Sequence, residues 1–285
     1  MKDKLIIVPY DFTEEADCAV NHAARVVEIH DSRIVLLHIV DKKSQSKLKS
    51  DHKSIADLES RLNEIASKAS ANGTGIAREG DIFTTIPSTA EELGAELIIF
   101  GTHGVRGMQH ILGAFALKLV TSSKVPVVIV QRRPIRTHGY KKIIYPVDEN
   151  PYSKQKAYAV ADFAKVFGAE VLIFPKKNSD DHFQNYTNGN LRYSEKVFTE
   201  AAVHFSVFEN TKTGSFSKQV VEFAARNDAD LISITTQDSE DRDVGDIFVG
   251  SEDVRIINNE AEIPTLCINA VVSLKVGGLA GVTSS

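Results

Sequence analysis

The residues best suited to chemistry in this 285-residue chain lie where short apolar runs stop. One run ends at Phe100 and continues as Gly101-Thr-His-Gly104-Val-Arg-Gly107-Met-Gln-His-Ile-Leu-Gly113-Ala114. Glycines at 101, 104 and 107 permit close backbone approach and positive φ, so that successive N–H groups can turn toward one anion. His103, Arg106 and His110 add positive charge or donors, and Gly113 precedes an expected helix from Ala114 to Ser122 whose N-terminus favours negative charge. The chemistry is phosphate binding, with a plain strand-to-helix loop as the alternative. Another run ends in Pro9-Tyr10-Asp11, where Asp11 either caps the next helix or meets a ligand. His38 lies within an apolar strand and reads as a satisfied core histidine, and Asp148 as a structural carboxylate. Catalytic signatures are missing: there is no Walker loop, no Gly-x-Ser-x-Gly elbow and no His-Glu-x-x-His helix. His22, His103 and His110 have no metal-ligand spacing. Binding without catalysis is therefore expected, with slow ATP hydrolysis left open and no metal site.

The elements that must position these residues are written twice. Lys4-Leu-Ile-Ile-Val-Pro-Tyr-Asp11 recurs as Lys141-Lys-Ile-Ile-Tyr-Pro-Val-Asp148, and Val125-Pro-Val-Val-Ile recurs as Ile263-Pro-Thr-Leu-Cys. Ile34-Val-Leu-Leu, Ala95-Glu-Leu-Ile-Ile-Phe and Gly113-Ala114 have counterparts at nearly the same offset, in the same order. The period is far too long for a solenoid, so each copy is a domain with its own core. Boundaries follow at 1–133 and 139–270, with Arg132-Arg-Pro-Ile-Arg136 as linker and 271–285 as a loosely ordered tail in which 271–276 could add a short strand. Continuous apolar runs at 5–9, 34–40, 97–100 and 127–130 suit parallel strands buried on both faces. Between them, Thr13 opens a helix reaching Ile29, and Leu48, Ile55, Leu58, Leu62 and Ile65 share one helical stripe. A weaker strand covers 75–79, and the helical stretch 82–93 should be interrupted or kinked at Pro87. The alternation predicts an open, doubly wound α/β sheet in each copy, the second less regular over 175–190.

Composition narrows the function classes. The chain is 42% hydrophobic and 25% charged, with a net charge of −5 that accumulates in the second copy. No basic face of nucleic-acid type is visible, and no apolar stretch is long enough for a membrane span. The short, quickly acidic N-terminal run does not read as a signal peptide, so the expected location is cytoplasmic. Two distant cysteines, Cys18 and Cys267, read as buried structural thiols. The linker arginines are either solvated or available to an acidic partner. In the second copy, Thr235-Thr-Gln-Asp-Ser-Glu-Asp-Arg-Asp243 replaces the glycine loop, which suits a solvated acidic loop or a cation site better than a triphosphate.

The repeat, the Pro-x-Asp after each first strand, the Leu-Leu-His-Ile-Val of the second strand and Gly-Thr-His-Gly-Val-Arg-Gly before a Gly-Ala resemble the universal stress protein family in its tandem form. The resemblance covers about residues 3 to 270. It implies two mainly parallel five-stranded sheets of adenine nucleotide alpha hydrolase-like fold, joined through 127–130 and 265–268 as an intrachain pseudo-dimer. It also implies a stress-response protein that binds ATP, ADP or AMP, with or without Mg, in its first domain. Carried over, Pro9, Tyr10, Asp11 and Ile39 border the adenine. Gly101, His103, Gly104, Arg106 and Gly107 line the ribose and phosphates, and Gly113, Ala114 and Phe115 close the phosphate end. Two departures weaken the match: eight residues rather than nine separate Gly104 from Gly113, and Ala114 stands where the family has Ser or Thr. One lost hydroxyl contact to a charged oxygen costs about 1.5–3 kcal/mol, which suits a weaker site, or one for AMP or adenosine. Arg106 could offset part of that loss through paired N–H bonds to phosphate. An unidentified protein partner and a further homodimer complete the expectation, with a ligand-independent interaction module as the rival.

Overall fold

The computed structural model describes residues 4–52, 54–102, 109–236 and 252–270. The first copy runs β1 (Lys4–Pro9), α1 (Glu14–Ile29), β2 (Ser32–Val40), α2 (Lys42–Ser50), α3 (Ile55–Ala69), β3 (Thr74–Glu79), α4 (Ile82–Leu93), β4 (Leu97–Gly101), α5 (Gln109–Ser122) and β5 (Val127–Val130). The second runs β6 (Lys142–Val147), α6 (Ala157–Phe167), β7 (Glu170–Pro175), α7 (Asp181–Glu200), β8 (Phe205–Val207), α8 (Phe216–Arg226), β9 (Leu231–Thr236), α9 (Glu252–Ile257) and β10 (Thr265–Asn269).

The ten strands form one sheet in the order β3-β2-β1-β4-β5-β10-β9-β6-β7-β8. Pairing is parallel within each copy, and the copies meet where β10 runs antiparallel to β5, with Leu266 opposite Val128. The two expected five-stranded sheets are therefore halves of one sheet, joined through the strands the pseudo-dimer required. Alternation explains the unbroken apolar runs: Leu5 and Ile7 enter the core on one face, and Ile6 and Val8 enter the core on the other. Helices α4, α5, α8 and α9 cover the first face, and α1, α3, α6 and α7 cover the second.

Several local expectations need correction. Leu48 does not share a helix with Leu58, because Ser54 and Asp57 form a reciprocal capping box that starts α3 afresh at Ile55. Helix α4 continues through Pro87. Proline cannot donate to the Phe83 carbonyl four residues back, and the Ser122 hydroxyl donates to that oxygen at 3.1 Å. The stretch 175–190, read as less regular, contains the first half of the 20-residue helix α7, which Asp180 caps through His182 N–H. Its buried stripe begins with Thr187, Asn190 and Ser194 before reaching Val197 and Phe198, so it lacks the apolar period that sequence reading detects. Cys267 is fully buried, whereas Cys18 is only half-buried, its thiol directed at the Arg133 carbonyl. The 271–285 tail lies outside the described residues.

The linker is tied to both copies. Arg132 Nε meets the buried Glu15 carboxylate at 2.7 Å, and Arg136 holds Asp228 through both terminal nitrogens. Arg136 also lies 3.2 Å from buried Asp230, whose other oxygen accepts from Lys141 and Lys142 N–H. His22 on α1 bonds Tyr140 Oη at 2.7 Å and the Arg133 carbonyl at 3.0 Å. A carbonyl only accepts, so His22 Nε2 carries the proton and Nδ1 accepts from the tyrosine. The linker arginines expected to be solvated are thus tied to neighbouring carboxylates, with Arg132 still 55% exposed.

Candidate functional site

In a doubly wound sheet, ligands collect beyond the carboxyl ends of the strands where the order reverses. The reversals here lie between β1 and β4 and between β6 and β9.

At the first reversal, β1 pairs with β2 on one side and β4 on the other, which brings Pro9, Tyr10, Asp11, Ile39 and Gly101 to one end of the sheet. Tyr10 is buried, its N–H donating to Leu37 O at 2.9 Å and its hydroxyl to Asp17. Burial and the Asp17 carboxylate push its phenol well up. The chain then turns through Phe12 at φ 67°, a left-handed conformation that costs a non-glycine residue about 1–2 kcal/mol. Contacts fix this turn: Phe12 packs on Tyr10 and His38, with ring centroids 5.1 and 5.4 Å away, and Arg61 lies over its face at 4.2 Å. His38 is satisfied as expected, its Nδ1–H donating to Tyr10 O at 2.6 Å. The turn leaves Asp11 exposed, accepting from the Thr13 hydroxyl at 2.5 Å. The helix cap itself is Thr13, which accepts from Ala16 N–H, so the capping alternative for Asp11 gives way to a role in steadying the cap.

Gly101 is needed for packing whether or not a ligand binds. A Cβ there would lie 2.3 Å from the Glu15 carbonyl oxygen, so α1 crosses β4 at a distance only glycine permits. His103, Gly104, Arg106 and Gly107 lie outside the described residues. Gly113, Ala114 and Phe115 are inside α5, which begins at Gln109 rather than Ala114. Their N–H groups belong to the helical ladder, and the unpaired N–H groups belong to the first turn. The helix expected to start at Ala114 thus starts five residues earlier, at Gln109.

The second reversal holds more than sequence reading found. A cavity of about 240 Å³ opens between β6, β9 and α9 and is closed on one side by Leu117 of α5. Asp148, Ser153, Lys156, Thr235 and Asp253 line it. The turn after β6 is pinned by Asn190 of α7, which donates to Asp148 O and Asn150 O at 2.9 Å. Lys156 is 3% exposed, its ammonium donating to Pro146 O at 2.8 Å and Ser153 O at 3.1 Å over the face of Tyr145. Burial lowers Lys156 to about 8, against the pull of Asp148 and Asp253. Burial, then Asp148, raises Asp253 to about 6, and burial likewise raises Asp148. The Thr235 hydroxyl is buried without a hydrogen-bond partner. Asp148 is therefore a cavity wall as well as a structural carboxylate. Lys156 and Asp253 carried no sequence signal, one being a lysine in a polar turn and the other an acid near an acidic loop. Residues 237–251 lie outside the described residues.

Among the described residues no cluster of His, Cys, Asp and Glu has the arrangement of a metal centre, and no helix is long and apolar enough to cross a membrane. Residues 4–131 match the model of the universal stress protein family. A universal stress protein of Methanocaldococcus jannaschii is 26% identical over 155 residues, covering 46% of this chain and 96% of the relative. One from Synechocystis is 28% identical over 134 residues, covering 45% and 85%. The crystal structure of a universal stress protein from Archaeoglobus fulgidus covers 95% of this chain and 100% of its own, with a TM-score of 0.72 at 16% identity, a likeness of fold.

Proposed function

We propose that the first copy, whose residues 4–131 match the model of the universal stress protein family, binds an adenine nucleotide, ATP, ADP or AMP, and signals through conformation or partner affinity. The observation that supports this reading is the first reversal: the strained Phe12 turn leaves Asp11 exposed at the end of the sheet where β4 closes on Gly101. Non-glycine residues held at positive φ persist where surrounding contacts over-determine them, and they concentrate at ligand sites. In this reading Asp11, Tyr10 and Ile39 border the base, and the glycine loop and the first turn of α5 hold phosphate. A bound nucleotide would act by preferring one of two conformations.

A second reading, a ligand-independent interaction module, draws on the packing role of Gly101 and on Asp11 steadying the Thr13 cap. Isothermal titration of nucleotide-stripped protein with ATP, ADP and AMP, with and without Mg²⁺, separates the two. Saturable binding near one site per chain, lost in Gly104→Asp and Asp11→Ala while their melting temperatures hold, supports the nucleotide site. No heat and no thermal shift with any of the three would leave the interaction module.

A further inference from the structure

The second-copy cavity has a composition that selects its own ligand. Its described lining carries one ammonium, Lys156, against the carboxylates of Asp148, Asp253 and Glu252. Glu252 is engaged by Ser217 N–H at 2.8 Å and by the Ser215 hydroxyl. Lys156 spends hydrogen bonds on two backbone carbonyls and closes no ion pair within 4 Å with either aspartate. Asp148 accepts from Asn150 N–H at 3.2 Å and from the Ser153 side chain. Asp253 has no hydrogen bond or ion pair among the described residues, and its perturbation comes from burial and neighbouring charge. Two aspartates thus line one cavity with Lys156, and the Thr235 hydroxyl is buried in its wall without a hydrogen-bond partner.

An anion would meet this excess of negative charge in a medium that screens poorly. A metal ion would need a ligand cluster that the described residues do not form. The lining also includes the apolar side chains of Leu117, Phe216, Ile234 and Ile256. The cavity, of about 240 Å³, has room for a short hydrocarbon carrying one charged head.

We propose that this cavity binds a small organic cation, a primary alkylamine, whose ammonium donates to Asp148, Asp253 and Thr235 and whose stem lies against Leu117, Phe216 and Ile256. The cavity is separate from the first-copy crevice, and the inference stands without the nucleotide reading. Because Leu117 comes from α5 of the first copy, the occupant touches both copies at once.

The probe is n-butylammonium chloride, titrated into the full chain at pH 7.5, with n-butanol as the uncharged isostere and ATP as the anionic control. Saturable binding near one per chain, about tenfold or more tighter than n-butanol, is expected. It should fall about tenfold in the near-isosteric Asp253→Asn and persist in Gly104→Asp. Lys156→Met gives the sharper sign: removing the resident ammonium should tighten the amine. An equal response to amine and alcohol would overturn the proposal, as would no saturation by the amine. An amine affinity unchanged in a folded Asp253→Asn, or weakened in a folded Lys156→Met, would overturn it too.

Discussion

Replacing Asp253 with asparagine should stabilise the protein at neutral pH. Asp253 titrates at about 6 in the fold, against 3.8 ordinarily, because burial and the Asp148 charge disfavour its ionised form. A displacement of just over two pH units corresponds to about 3 kcal/mol when the carboxylate is fully ionised. Partial access to the cavity and the loss of attraction to Lys156 reduce the gain to about 1–3 kcal/mol. Between pH 4 and 6 the folded state holds the proton more tightly than the unfolded chain, so this contribution to stability falls as pH rises through that window. Lys156 works on the other side: lowered from 10.5 to about 8, it is less protonated in the fold, and stability returns as pH rises from 8 toward 10.5. The site is least favourable between pH 6 and 8, where its charges are all present. Urea unfolding of the wild type and Asp253→Asn at pH 4.0 and 7.5 reads the difference directly. The variant should be more stable by about 1–3 kcal/mol at pH 7.5 and nearly equal at pH 4.0. A variant less stable at pH 7.5, or one with the same offset at both values, would refute the reasoning.

His22 makes an opposite contribution: burial lowers it to about 4 from 6.5, so stability should be lost as pH falls through that window, by up to about 3 kcal/mol. Tyr140→Phe, which strips the donor from His22 Nδ1, should cost about 1–3 kcal/mol at neutral pH, and an unchanged urea midpoint would argue against the buried staple. Gly101→Ala drives a methyl to 2.3 Å from Glu15 O and should destabilise the nucleotide-free protein by about 1–3 kcal/mol or more. A Gly101→Ala protein melting like the wild type would return that glycine to a ligand role alone.

Much of this was legible because burial on both faces writes strands as unbroken apolar runs, as at 5–9 and 127–130, and because the repeat aligned Pro9 with Pro146 and Asp11 with Asp148. Where the buried face is polar, the signal fails. Helix α7 hides Thr187, Asn190 and Ser194 under the turn after β6, and hydrophobic periodicity has nothing to register there. The onset of α5 was misplaced because Gly113 resembles a helix boundary, although glycine inside a helix costs only about 1 kcal/mol relative to alanine. The second-copy cavity was missed for another reason: Asp148 and Lys156 share the connection from β6 to α6, but Asp253 of α9 joins them only through tertiary packing. No local pattern distinguishes a buried lysine from a solvated one.

The antiparallel seam between β5 and β10 decides how the molecule responds to dilution. Two separate chains joined along such strands would come apart as concentration fell, and their partnership would depend on abundance. Here the linker makes the encounter intramolecular, with an effective concentration set by a few residues. The pairing is the same at one molecule as at a million. The seam also releases the halves from likeness, because a change in one is never imposed on the other. A glycine loop can stand in the first copy and an acidic stretch in the second within every assembled molecule.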